Sequence, residues 1–427
     1  MFPCYTMADK TDLVELRREF HQNPEPGWRE FWTTAKIVDE IERIGVDELH
    51  IGSEAVNTTE RLGVPDDQEL SDWLEQARKQ IERPDVLDKI AGGKTGAVAV
   101  IENGEGPCVA LRVDIDALPI TESSATDHTP TAEGFRSTNE GFMHACGHDA
   151  HITLGLGVLE TLSAREFNGT FKVFFQPSEE LLGGGKAMAS TSHLNDVDYL
   201  LGVHVGLEKE TGEVIAGMDG ALALSRFDIS IEGESAHAGA APEDGQNAIQ
   251  AFVTAASDIY AIPRHQDGDT RVNLGEIHTE NAANVIADLV TAKAEVRGES
   301  TQLMEYMKES VYDRLEHAAA MHGCDVDVTV IGESIRQDCD REMVDSVYET
   351  AERIDGVTSP VRRDTLGASE DATYLMKTVA ENGGKATYVG LGASNPSGHH
   401  TPTFDIDEDC LPIGVSVLSQ TALDLLA

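Results

Sequence analysis

Apolar positions recur at helical spacing over Leu13–His21 and Phe31–Ile44, and Gly45 stops the second stretch. Residues 54–95 are polar and charged with a largely helical pattern, and read as an insertion. Ala97–Ile101, Cys108–Val113, Phe171–Gln176 and Tyr199–Val205 are short runs rich in β-branched and aromatic residues, and predict strands. His151–Leu162 predicts an apolar helix among them. Strands alternating with helices in this way predict an α/β fold with a largely parallel central sheet.

The pattern changes near Ala221. Leu224–Ile231 alternates as a strand, and Gly245–Ile262 is helical. Arg271–His278 and Leu289–Arg297 are strands, Thr301–His322 is a long helix and Val326–Ile331 a last strand. The order β-α-β-β-α-β is ferredoxin-like. Residues 221–334 therefore predict an inserted domain, and 1–220 with 335–427 a discontinuous first one. The first domain closes with a strand at Ala386–Gly390 and a helix from Pro412.

At 427 residues the chain is too long for one ordinary core. With 76 acidic against 32 basic residues its formal charge is −44, spread along the chain. Such a charge excludes nucleic-acid and anionic-membrane partners. A dispersed acidic surface over a regular apolar pattern fits a high-salt cytoplasm, where screening suppresses self-repulsion. No apolar run approaches the roughly 20 residues of a membrane span. Residues 1–8 carry no signal-peptide core, and Met7 is an alternative start. The six cysteines are dispersed, which fits a reducing compartment. Only Cys146 has ligand-like neighbours; the other five, Cys4 among them, read as core residues.

The densest chemistry is His144-Ala145-Cys146-Gly147-His148-Asp149-Ala150-His151. Thiolate with imidazole suits zinc or its neighbours. A dry core does not tolerate this density of polar groups without a task for them. Glu179-Glu180 follows the strand ending at Gln176, and one carboxylate can bind metal while the other moves a proton. On its own a Glu pair is usually solvated surface. His204 closes a buried strand, and His399-His400 lies in a loop before Phe404. Together these donors suffice for two metal ions sharing a bridging ligand.

The ordered set resembles the dinuclear metal amidohydrolases of the aminoacylase and carboxypeptidase metallopeptidase family, closest to the aminobenzoyl-glutamate hydrolase group. The resemblance rests on Arg17–His21 with Pro24-Glu25, Arg112–Pro119, His144–His151, Glu179-Glu180, Ser235–Gly239 with Pro242, Gly367–Ala372, the His399-His400 loop and the insertion segment Val56–Arg61. It implies a zinc-peptidase-like catalytic domain whose inserted ferredoxin-like domain serves as dimerisation and lid domain. It implies Cys146, His148, Glu180, His204 and His400 as metal ligands, with Cys146 bridging. His400, rather than His399, has the family spacing to Phe404. The cofactor implied is two divalent ions per protomer, zinc or manganese. Glu179 matches the general base, and His237 the donor to the oxyanion across a dimer interface. Arg112 stands where other branches carry a metal-binding His, and Asp114 is placed to orient a ligand. Asn284 and Arg297 match the residues that hold the substrate carboxylate, and Ala287 replaces a proline common in relatives.

The expected activity is hydrolysis of the amide of an N-acyl or N-aroyl amino acid, aminobenzoyl-glutamate-like compounds first. One alternative is a general N-acyl-amino-acid deacylase or dipeptidase. A second is a non-catalytic partner subunit. The expected assembly is a homodimer or a heterodimer with a related chain.

Overall fold

The computed structural model describes residues 10–427, so Met7 and Cys4 lie outside the described residues. The chain forms two compact units. The first runs to Asp219 and resumes over Gln337–Leu366 and Asp371–Ala427; the second is Gly220–Arg336 with Gly367–Glu370.

The first unit is built on strands β1 (Glu48–Ile51), β2 (Ala97–Asn103), β3 (Cys108–Asp114), β4 (Gly169–Gln176), β5 (Tyr199–Val205) and β6 (Glu213–Ile215). A two-residue strand β7 (Met218–Asp219) precedes the second unit, which carries β8 (Ala223–Glu232), β9 (Thr270–His278), β10 (Leu289–Gly298) and β11 (Asp325–Ser334). The chain then adds β12 (Ser359–Val361), β13 (Asp364–Thr365) and β14 (Lys385–Leu391) to the first unit. Eight of these strands make one sheet in the order β1-β2-β4-β3-β5-β14-β6-β12, and β7 pairs with β13 alone.

The expected largely parallel sheet is a mixed one. Its centre, β4-β3-β5-β14, is parallel, but β2 runs antiparallel to β4, β1 to β2 and β6 to β14. For β2 and β6 the cause is link length. Parallel neighbours need a crossover of a dozen or more residues. Residues 104–107 between β2 and β3, and 206–212 between β5 and β6, are too short for one, so direction reverses at each.

All seven residues of β3 are buried, and Phe171, Phe174 and Phe175 of β4 are fully so. Near-continuous apolar strands are what a sheet covered on both faces demands. The helix His148–Ser163 is buried from His148 through Leu159 and packs with the helices Lys10–Gln22 and Cys410–Leu425. Gly157 permits that approach: a Cβ there would meet Val415 Cγ2 at 2.8 Å and Leu13 Cδ2 at 3.1 Å. The last helix begins two residues before Pro412, which fits in a first turn because its missing N–H has no partner to lose. The insertion folds as helices Asp67–Gln80 and Pro84–Ile90, the first capped by Asp66 accepting from Glu69 N–H at 2.8 Å.

The second unit is an antiparallel sheet in the order β11-β8-β10-β9, with helices Ala248–Tyr260 and Thr301–Met321 packed together against it. Burial alternates along β8 and β10, so one face of the sheet is covered and the other faces outward. Among the described residues, Cys108, Cys146, Cys324, Cys339 and Cys410 are free and buried, and no helix is long and apolar enough to cross a membrane.

Candidate metal centre

The carboxyl ends of β3, β4, β5 and β14 share one edge of the first unit's sheet, because these strands are parallel. The chain passes from β3 to β4 on one side, then to β5 on the other side of β3. Such a reversal opens a crevice at the strand ends. Asp114 and Asp116 lie at and just after the end of β3, Glu179 and Glu180 follow β4, His204 is the penultimate residue of β5, and His399-His400 lies in the loop after β14. Cys146 and His148 arrive at the start of the helix His148–Ser163, whose turn needs Gly147 at φ 86°.

Cys146, His148 and Glu180 present ligand atoms all within 4.8 Å of one another. Cys146 Sγ is 3.5 Å from His204 Nε2, and Glu180 Oε2 is 3.5 Å from His400 Nε2. The first unit therefore brings together Cys146, His148, Glu180, His204 and His400. Glu179 Oε2 stands 4.0 Å from His148 Nε2. His400 is the exposed member and takes φ 60°, a left-handed conformation in which histidine is uncommon. His399 also lies within ligand range of Cys146 and His204, but its Nε2 is engaged by Val205 O at 3.2 Å. His151 is taken up too: its Nε2 accepts Val205 N–H at 2.9 Å, and its Nδ1 pairs with Asp114 at 2.5 Å.

The donor set fits a metal. His148 Nε2 and Glu180 Oε1 are buried with no hydrogen-bond partner, although both belong to the Cys146 cluster. Orphaned buried polar atoms of this kind cost stability unless something binds them. Burial, then Glu180, Glu179 and Asp114, push the Cys146 thiol well above its ordinary range. A thiolate forms here only opposite added positive charge. Burial likewise lifts Glu180 to about 7 against the pull of His148, with Asp116 and Asp114 adding to the rise.

Arg112 is fully buried and serves the carboxylates: Nε donates to Gln176 Oε1 at 2.8 Å, and Nη1 to Asp114 Oδ2 at 2.8 Å. Asp114 thus faces Arg112 and His151, while the carboxylate nearest His148 Nδ1 is Asp116, at 3.3 Å. Asp116 and the buried Glu30 were not singled out from sequence. Within Arg112–Pro119 no sequence feature sets Asp116 apart from Asp114, and nothing in the sequence around Glu30 marks it. Behind the start of the helix His148–Ser163, Arg17 Nε pairs with Asp149 at 2.7 Å and His21 bridges Asp149 at 2.8 Å and Glu122 at 3.0 Å, all buried.

His237, Asn284 and Arg297 belong to the second unit. His237 pairs with Val285 as an isolated bridge, and Ala238 N–H donates to Asn284 O at 2.9 Å. His237 Nδ1 accepts from Gly239 N–H and Ala240 N–H, both at 3.1 Å. Two donors onto Nδ1 require the neutral ring to carry its proton on Nε2. Both His237 and Asn284 are exposed. Arg297 is tied to Glu295 at 2.6 Å on β10. Ala287 is buried and accepts Ala248 N–H at 2.9 Å, so the backbone there is held without a proline.

A family model described as peptidase family M20/M25/M40 matches residues 110–424. The chain is 38% identical over 416 residues to a p-aminobenzoyl-glutamate hydrolase subunit of Escherichia coli (strain K12), covering 96% of this chain and 95% of that one. It is 37% identical to the indole-3-acetyl-aspartic acid hydrolase of Enterobacter agglomerans, covering 97% and 95%. The crystal structure of an aminobenzoyl-glutamate utilization protein from Klebsiella pneumoniae superposes with a TM-score of 0.84 at 32% identity, covering 97% and 95%. The resemblance read from the motifs is borne out by matches that run the length of the chain, and the chain belongs to peptidase family M20/M25/M40.

Proposed function

We propose that this chain is a metal-dependent amidohydrolase that cleaves N-acyl or N-aroyl amino acids, with p-aminobenzoyl-glutamate as the leading substrate. The observation that carries the reading is Glu179 beside the cluster of Cys146, His148, Glu180, His204 and His400. Those five residues would hold two divalent ions, zinc or manganese, which when bound supply Lewis-acid polarisation and acidify water. Glu179 takes a proton from the attacking water as oxygen adds to the amide carbon. It returns that proton to the nitrogen as the C–N bond breaks, leaving a carboxylate and a free amine. His237, with its proton on Nε2, would donate to the developing oxyanion across a dimer interface. Asn284 and Arg297 hold the substrate carboxylate, for which a guanidinium fork is suited.

The second unit, read as a ferredoxin-like lid and dimerisation domain, also supports a partner chain. Ile249, Val253 and Tyr260 are exposed on its helix Ala248–Tyr260, and Ile277 on the edge strand β9. Tyr260 Oη accepts Leu274 N–H at 3.0 Å, which joins the helix face to that edge. An exposed apolar face beside an open strand edge is a surface that another chain covers. The Escherichia coli relative is named as one subunit of its enzyme, which supports a second subunit as that partner. The charge of −44 supports a high-salt cytoplasm.

The test is glutamate release from p-aminobenzoyl-glutamate, beside a panel of N-acetyl amino acids, at molar salt with zinc or manganese restored after chelation. Preference for the aroyl compound is expected. Cleavage of the panel alone would move the chain to the general deacylases, and silence on both would leave a non-catalytic partner role.

A further inference from the structure

Adjacent carboxylates on one turn do different work only if the backbone between them is held. The turn after β4 is an unfavourable one. Ser178 and Leu182 both take φ 55°, a left-handed conformation that side-chain-bearing residues rarely adopt. At Gly184 a Cβ would lie 1.7 Å from Pro177 O, so the turn closes only with glycine there. Leu182 N–H returns to Glu179 O at 2.6 Å, and Gly183 N–H to Ser178 O at 3.0 Å.

Two buried carboxylates grip this turn from outside it. Glu30 Oε1 accepts Ser178 N–H at 2.8 Å, Asp116 Oδ1 accepts Glu179 N–H at 3.1 Å, and Asp116 Oδ2 accepts Glu180 N–H at 3.1 Å. Three consecutive backbone donors therefore end on two side chains, each fully buried. Thr95 Oγ1 donates to the second oxygen of Glu30 at 2.6 Å, and His148 Nδ1 lies 3.3 Å from Asp116 Oδ1. Burying a carboxylate is costly unless its lone pairs are filled. Here the backbone of the Glu179-Glu180 turn fills them.

The geometry points to Glu30 and Asp116 as positioning residues, a two-carboxylate clamp that fixes the backbone carrying Glu179 and Glu180, whose carboxylates lie 4.0 and 3.8 Å from His148 Nε2. Asp116 also ties that turn to His148, so proton-moving and ligating groups share one anchor. The assignment rests on Glu179 acting as the base, as proposed for the reaction. Neither carboxylate touches substrate, and both act through the backbone they hold.

The experiment compares Glu30→Ala, Glu30→Gln, Asp116→Asn and Glu179→Ala in the full chain. It measures bound metal per chain, kcat and KM on p-aminobenzoyl-glutamate, and amide hydrogen exchange in the peptide covering residues 177–184. Glu30→Ala should exchange faster in that peptide alone and keep its metal. Its kcat should fall about 10–100-fold, the scale of a small misplacement of a reacting group, with KM little changed. Glu30→Gln keeps an acceptor oxygen and should recover most of both losses. Asp116→Asn can accept only one of its two backbone donors. It should speed exchange in the same peptide, lower kcat and weaken metal binding about 10–100-fold. Should Glu30→Ala fail to fold, Asp116→Asn carries the test. Unchanged exchange, or faster exchange with wild-type kcat per metal-loaded chain, would overturn the clamp. A normal rate in Glu179→Ala would instead overturn the base assignment, and the exchange data would still decide whether the clamp exists.

Discussion

In the first unit Cys146, His148, Glu179 and His204 are buried, and His148 and the Glu179 backbone N–H share one carboxylate, Asp116, itself buried. In the second unit His237 and Asn284 stand in solvent on two loops, one between β8 and the helix Ala248–Tyr260 and one between β9 and β10, joined by backbone contacts such as Ala238 N–H to Asn284 O. The difference separates two tasks. Groups that act on developing charge gain most when they are fixed beforehand and dry, since no reorganisation is needed at the moment of reaction. Groups that receive a substrate must first be reachable. On the proposed reading the buried cluster would hold the metal and move the proton, while His237 and Asn284, on exposed loops, become precise only when a substrate or another chain covers them.

The contrast breaks most directly at Glu179. Glu179→Ala should lower kcat about 10²–10⁴-fold while metal content stays constant, the range for loss of a general base. Near-normal turnover with metal retained would remove Glu179 from that role. On the exposed side, His237→Ala should lower kcat about 10²–10³-fold with little change in KM, as loss of an oxyanion donor does. A rise in KM alone would make His237 a binding residue.

His21 sharpens the buried side. Burial and Arg17 pull its pKa down, but Asp149 and Glu122 prevail and raise it from 6.5 to about 9. A histidine raised in the folded state stabilises the fold while protonated. The contribution is full below pH 6.5 and is lost as pH climbs through 9, at most about 3 kcal/mol. Denaturation of wild type and His21→Gln should differ most near pH 6 and converge above pH 9. A gap independent of pH would assign the effect to packing. The smallest effect is expected at Arg297, which Glu295 already pairs. Arg297→Ala should raise KM about 10–100-fold for loss of a charged hydrogen bond, leaving kcat nearly intact. An equal loss in kcat would place Arg297 among the groups that respond to the transition state.

Much of this arrangement was legible in the sequence. Strand alternation marked β8 and β10, and the long helical run marked Thr301–Met321. The strands bearing Asp114, Gln176 and His204 were visible as short apolar runs. Strand direction at the sheet margins was not legible in the apolar pattern, because a hydrophobic run carries no sign of direction; at β2 and β6 it is the short links that reverse it. Glu30 was illegible for a different reason. A buried carboxylate that accepts backbone donors has no side-chain partner at a characteristic spacing, so nothing nearby in the chain announces it.

By itself, the sequence determined the kinds of donor, their order and the elements that carry them, since these depend on residue chemistry and on periods of two and 3.6 residues. Only the tertiary structure decided which atoms meet. Four parallel strands bring their carboxyl ends to one edge, and residues distant in the chain then converge there. That convergence also decided which carboxylates hold backbone and which face the cluster, because burial leaves each charged oxygen only the partners the fold brings within reach.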